Sequence, residues 1–81
     1  MKMTVNKAIG YAITNICIEQ ETNVCRLTKN EPHGRTLQTK INHIATGRTK
    51  NPAIQTIHEF CCLTGYTLEE FFARKEFDDL E

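Results

Sequence analysis

Apolar positions recur at steps of three and four along almost the whole chain, the period of one face of a helix. Val5, Ile9, Ala12, Ile13 and Ile16 form the first such stripe, predicting an amphipathic helix over about residues 4 to 20. Tyr11 and Ile18 fall off it. Val24 and Leu27 point inward from a shorter second helix, with Asn23 as its N-cap and Cys25 or Thr28 filling a tight contact. Leu37, Ile41 and Ile44 mark a third helix over residues 36 to 46, capped by Thr36. Ile54, Ile57, Phe60 and Cys61 give the buried face of a fourth, with Asn51 suited to its N-cap and Pro52 to its first helical position. Leu68, Phe71 and Phe72 supply a fifth. No segment alternates like a strand.

The breaks between these runs have their own chemistry. Pro32 disfavours helix at Glu31, so "EPHG" is a turn in which Gly34 is free to take a positive φ. Gly47 and Gly65 close the third and fourth helices. Thr67 with Glu70 three residues on forms a capping box, and Tyr66 can pack on Phe71 as a hydrophobic staple. The tail "ARKEFDDLE" is mostly charged, with Phe77 and Leu80 as its only apolar anchors. It can continue the last helix, pack in a dimer or fray.

Five short helices in 81 residues, 40% of them apolar, make one all-α domain with one modest core. That core spans about residues 4 to 73, with residues 74 to 81 as a charged tail. No apolar run approaches the roughly 20 residues needed to cross a bilayer, and "MKMTVNKAIG" lacks the apolar segment of a secretory signal. The expectation is a cytoplasmic protein without a membrane partner.

Cys17, Cys25, Cys61 and Cys62 do not form the spaced pairs of a zinc site, so they are assigned as small packing residues. His33, His43 and His58 are scattered, and no nucleophile-and-base arrangement accompanies them. The sequence offers no catalytic group, metal site or cofactor motif.

Charge changes the picture through its distribution. The net charge is zero, yet between Thr22 and Lys50 six basic residues, Arg26, Lys29, Arg35, Lys40, Arg48 and Lys50, face the single acid Glu31. From Asn51 to Glu81 two basic residues stand against seven acids. A chain polarised in this way can present one end to phosphates while the other repels them.

The order of residues also resembles a known family. "KINHIATGRTKNPAIQTIHEFCCLTGYTLEEFF", Lys40 to Phe72, is similar to the helix-turn-helix domains of the phage-repressor type, the Cro and lambda-repressor-like or xenobiotic-response-element regulators. Ile41, Ile44, Gly47, Asn51, Pro52, Ile54, Ile57, Gly65, Thr67, Leu68, Glu70, Phe71 and Phe72 occupy matching places. Upstream, Ile9, Ile13, Ile16 and Leu27 fall at the family's core positions, so the resemblance covers about Lys7 to Phe72. Three departures stand out. The turn "TKNEPHGRT" is longer by about three residues and lacks the usual apolar anchor, "GRTKNP" is longer by about one, and Thr64 replaces a preferred leucine.

The resemblance implies a compact five-helix lambda-repressor-like domain whose third helix lies in the major groove of double-stranded DNA while helix 2 and the following loop hold phosphates. Gln38, Thr39 and Asn42 sit at outward positions of that helix. Their amides and methyl suit adenine and the thymine methyl, and Arg35 adds a guanine or phosphate contact. Phosphate contacts fall to Asn23, Lys40, Arg48, Lys50 and the backbone N–H groups at an Asn51 helix start. The expected function is a homodimeric, sequence-specific transcriptional repressor, not an enzyme and without cofactor. The competing class is a module for a regulatory protein partner, antirepressor or antitoxin-like, favoured by the acidic last third.

Overall fold

A computed structural model describes residues 4 to 78 and Leu80. Among these residues five α-helices form and no β-strand, as the apolar periodicity implies.

Helix α1 runs Val5–Glu19, and the Thr4 side chain accepts a hydrogen bond from the Lys7 backbone N–H. Its Ala8, Ile9, Ala12, Ile13, Ile16 and Cys17 are buried. Val5, expected on that stripe, is 49% exposed. Tyr11 and Ile18 are exposed as expected. The helix closes with Glu21 at φ 53° and the Thr22 N–H donating to the Cys17 carbonyl at 2.9 Å, a Schellman closure in which a left-handed residue turns the chain. Such a position ordinarily falls to glycine, so nothing local in the sequence marks it.

Helix α2, Val24–Thr28, is capped by Asn23 as expected, Oδ1 accepting from the Arg26 N–H at 2.9 Å. Val24 is buried and Leu27 packs on the core. Of the two residues offered for the tight contact, Thr28 fills it and Cys25 is exposed. The Thr28 hydroxyl satisfies itself by donating to the Val24 carbonyl at 2.9 Å.

Helix α3, Gly34–Ala45, starts two residues earlier than its sequence signal suggests. Its N-cap is His33, which makes no side-chain capping bond; Thr36 lies inside the helix and caps nothing. Gly34 is therefore helical and takes no positive φ. Its role is close approach: a Cβ built there would stand 2.1 Å from the Thr28 carbonyl oxygen. Packing of α2 against α3, absent from any local signal, sets the helix start. One consequence is that the link between the two helices shortens to the five residues from Lys29 to His33.

Helix α4, Ile54–Thr64, also departs from its signal. Its N-cap is Ala53, in an extended conformation with no side-chain bond, so Asn51 and Pro52 precede the helix. The proline ring fits an extended link as well as a first helical turn, since its fixed φ is shared by both. Thr56, Ile57, Phe60 and Cys61 are buried, whereas Ile54, assigned to that face, is 57% exposed in the first turn. Gly47 and Gly65 take φ 78° and 83°, and Arg48 and Tyr66 donate to the His43 and Cys61 carbonyls, so both glycines close their helices as expected.

Helix α5, Leu68–Phe72, carries the Thr67–Glu70 capping box in both directions. Phe71 is fully buried and meets Phe60 edge-on at 6.4 Å between centroids. Phe72 is partly exposed but stacks with Phe77, 5.1 Å away. The chain then turns back instead of extending α5. Lys75–Phe77 forms a 3₁₀ turn packed on α1. Asp79 and Glu81, at the end of the expected charged tail, lie outside the described residues.

Candidate nucleic-acid interface

Helix α3 is amphipathic, with Ile41 and Ile44 buried and Leu37 packed on the core. At 100° per residue, Arg35, Thr39, Asn42 and Thr46 align on the opposite side, with Gln38 at the edge of the stripe. All but the half-buried Gln38 are exposed, and no carboxylate lies on the helix or its caps.

Their hydrogen-bonding capacity differs. The Thr39 hydroxyl donates to the Arg35 carbonyl at 3.0 Å, which commits its proton and leaves the methyl as its free contact. Thr46 does the same to Asn42 at 2.8 Å. Among the described residues, the Gln38 and Asn42 amides and the Arg35 guanidinium make no side-chain hydrogen bond. An exposed amide or guanidinium without an internal partner keeps its full donor and acceptor set for a ligand.

The flanks group the remaining candidates. Lys29, at the end of α2, lines one concavity with Arg35 and Gln38. The sequence alone does not group Lys29 with them, because the α2–α3 link hides how close α2 ends to the start of α3. Lys40 lines another with His43 and Asn51, and Lys50 lies beside Thr46 in a third. Arg48 is exposed on the loop after α3. Asn23 caps α2 with its oxygen, so only its amide N–H groups remain available. Asn51 reaches the surface, but the helix start it was assigned lies three residues on, at Ile54; the open N–H groups there are not Asn51's own.

The opposite pole uses its charges internally. Every ion pair among the described residues belongs to Arg74, whose guanidinium meets Glu19 at 2.6 Å and Glu76 at 3.0 Å and donates to the Tyr66 hydroxyl at 2.8 Å. Those hydrogen bonds to Glu19 and Glu76 raise the Arg74 pKa. Burial is the largest single influence on the Glu76 carboxyl and pushes it up. Hydrogen bonds from Arg74 and Asn15, a backbone hydrogen bond and the Arg74 charge together outweigh it, holding the group down at about 2. The Arg74 hydrogen bond likewise lowers Glu19. By contrast Arg26, Lys29, Arg35, Lys40, Arg48 and Lys50 make no ion pair within the described residues.

Cys17 and Cys61 are buried and Cys25 and Cys62 exposed, all as free thiols. Burial pushes the Cys17 thiol up and the Cys61 thiol up to about 11, as fits packing residues; Cys25 and Cys62, expected to pack in the same way, are exposed and do not. Among the described residues no group of three metal-binding side chains converges, and no helix is long and apolar enough to cross a membrane. Comparison with models of known families, with curated proteins and with solved structures gives no match.

Proposed function

We propose that this chain is a sequence-specific double-stranded DNA-binding regulator, a repressor of the lambda-repressor-like helix-turn-helix kind, that reads the major groove with α3. The observation carrying the reading is the outer face of α3, where Arg35, Gln38 and Asn42 stand with no internal partner and no nearby acid on the helix. Gln and Asn amides pair with adenine N6 and N7, the Thr39 methyl suits the thymine methyl, and Arg35 suits guanine or a phosphate. Lys29, Lys40, Arg48, Lys50 and the Asn51 amide on or beside this face, with the Asn23 amide at the start of α2, serve as phosphate contacts. The tight crossing of α2 and α3 at Gly34 supports the helix-turn-helix assignment, while the five-residue link exceeds the ordinary three to four residues of that turn.

A repressor of this size acts as a homodimer on a pseudo-palindromic operator, with half-sites about 34 to 36 Å apart. Selection from random duplexes tests the reading. It should enrich one motif with that spacing, and the Gln38→Ala, Asn42→Ala double variant should lose the preference while staying folded. Absence of enrichment contradicts the reading. The acidic pole favours the alternative, a module for a regulatory protein partner; a single stoichiometric protein ligand together with no enriched duplex would establish it instead.

A further inference from the structure

The second glycine of close approach lies in α1, where glycine is intrinsically unfavourable by about 1 kcal/mol relative to alanine. A Cβ at Gly10 would stand 3.0 Å from both the Ile44 and Ala45 carbonyl oxygens. This contact holds the first half of α1 against the C-terminal end of α3. The Asn6 amide donates to the Lys50 carbonyl, tying the loop after α3 to the same part of α1. Between them lies an open groove of about 460 Å³ whose lining includes Lys7, Tyr11, Thr46, Thr49 and Lys50.

Three properties of this groove point to one occupant. It is continuous with the outer face of α3, because Thr46 belongs to both. Its lining has two lysines and no acid, and neither Lys7 nor Lys50 makes an ion pair among the described residues. Its uncommitted hydroxyls, those of Thr49 and Tyr11, suit anionic oxygens, while the Thr46 hydroxyl stays with the Asn42 carbonyl. The end of α3 alone disfavours an anion, since a helix C-terminus carries partial negative charge. Two uncommitted lysines beside it reverse that sign, and on a helix seated in the major groove such an end meets the sugar–phosphate backbone that bounds the groove.

We propose that this groove grips a DNA backbone phosphate flanking the bases read by α3, with Lys7 and Lys50 as its cations. The footprint thereby extends across α1, an element to which sequence analysis gave only a core role. The inference rests on the DNA-binding reading.

The test uses the duplex enriched by selection and a scrambled duplex of equal length, with Lys7→Ala and Lys7→Arg proteins whose thermal unfolding matches the parent. Lys7→Ala should weaken both duplexes by the same factor, roughly five- to tenfold at low salt. It should also reduce the slope of log affinity against log salt by about one, the signature of one lost phosphate contact. Lys7→Arg should restore both. Phosphate-ethylation interference at a flanking position should disappear in Lys7→Ala alone. Retained preference for the enriched duplex with an unchanged salt slope in Lys7→Ala would overturn the groove contact while leaving base reading intact. Inorganic phosphate shifting the Thr46, Gly47 and Thr49 amides, with duplex affinity indifferent to Lys7→Ala, would assign the groove to a free anion and overturn it too. If no duplex is enriched at all, both proposals fall.

Discussion

The two poles of this molecule handle charge in opposite ways. Around Arg74, Glu19, Glu76, Asn15 and Tyr66 bind one another through hydrogen bonds of 2.6 to 3.1 Å, and Glu76 is 6% exposed. On and around α3, six cations and two amides face outward without internal partners. The first group spends its electrostatics on holding residues 74 to 77 against α1. The second contributes little to the fold. Among the described residues the ion-paired set is Arg74 with Glu19 and Glu76; the cations around α3 have no such partner.

Substitutions should divide along the same line. Arg74→Ala leaves Glu76 buried without its partner, and removing one member of a buried pair costs about 3 to 4 kcal/mol; chemical denaturation should show that loss of stability. Gly34→Ala tests the structural part of the basic pole. Its Cβ would collide with backbone at the Thr28 carbonyl, not with a flexible side chain, so α2 and α3 must separate. Overpacking of this kind should cost about 3 kcal/mol, read in the same denaturation experiment, and duplex affinity should fall with it because α3 is displaced.

Acid should act on one pole alone. The Glu76 carboxyl, held at about 2 against its ordinary 4.5, takes up its proton more readily in the unfolded chain, so acid favours unfolding. Its contribution is complete above about pH 5 and is lost as pH falls from the ordinary value through the folded one, a change on the order of 2 kcal/mol. Denaturation midpoints across that window should fall in the parent and fall less in Glu76→Gln. The smallest stability effect belongs to Lys40→Ala, which should change folding by less than about 0.5 kcal/mol. It should nevertheless weaken binding to every duplex alike and lower the salt slope by about one. A large loss of stability in Lys40→Ala would erase the distinction between the poles.

What the sequence conveys follows the range of each signal. Asn23, the Thr67–Glu70 box, Gly47 and Gly65 act within a few residues, and the structure places each as its chemistry requires. Thr36 and Asn51 are good local caps, yet α3 and α4 start at Gly34 and Ile54; at α3 the close approach of α2 to Gly34 goes with the earlier start. Periodicity identified the stripes containing Val5 and Ile54 but not the point at which neighbouring helices stop covering them. Glu76 is the largest surprise, since "ARKEFDDLE" has the composition of a solvated tail. Its burial depends on Arg74 and on Asn15, 61 residues away. The outward positions of α3 were legible because helical periodicity alone determines them. Lys29's place beside Arg35, and the groove at Lys7, depend on how α2 and α1 pack on α3.

The central claim is that the uncommitted outer face of α3 meets DNA and the internally paired cluster around Arg74 does not. Titrating the isotope-labelled protein with the enriched duplex while following backbone amide resonances tests it most directly. The account predicts shifts concentrated from Gly34 to Lys50, with the amides of Tyr66 to Phe77 unmoved. Shifts centred on Tyr66 to Phe77, or none in α3 at saturating duplex, would contradict it.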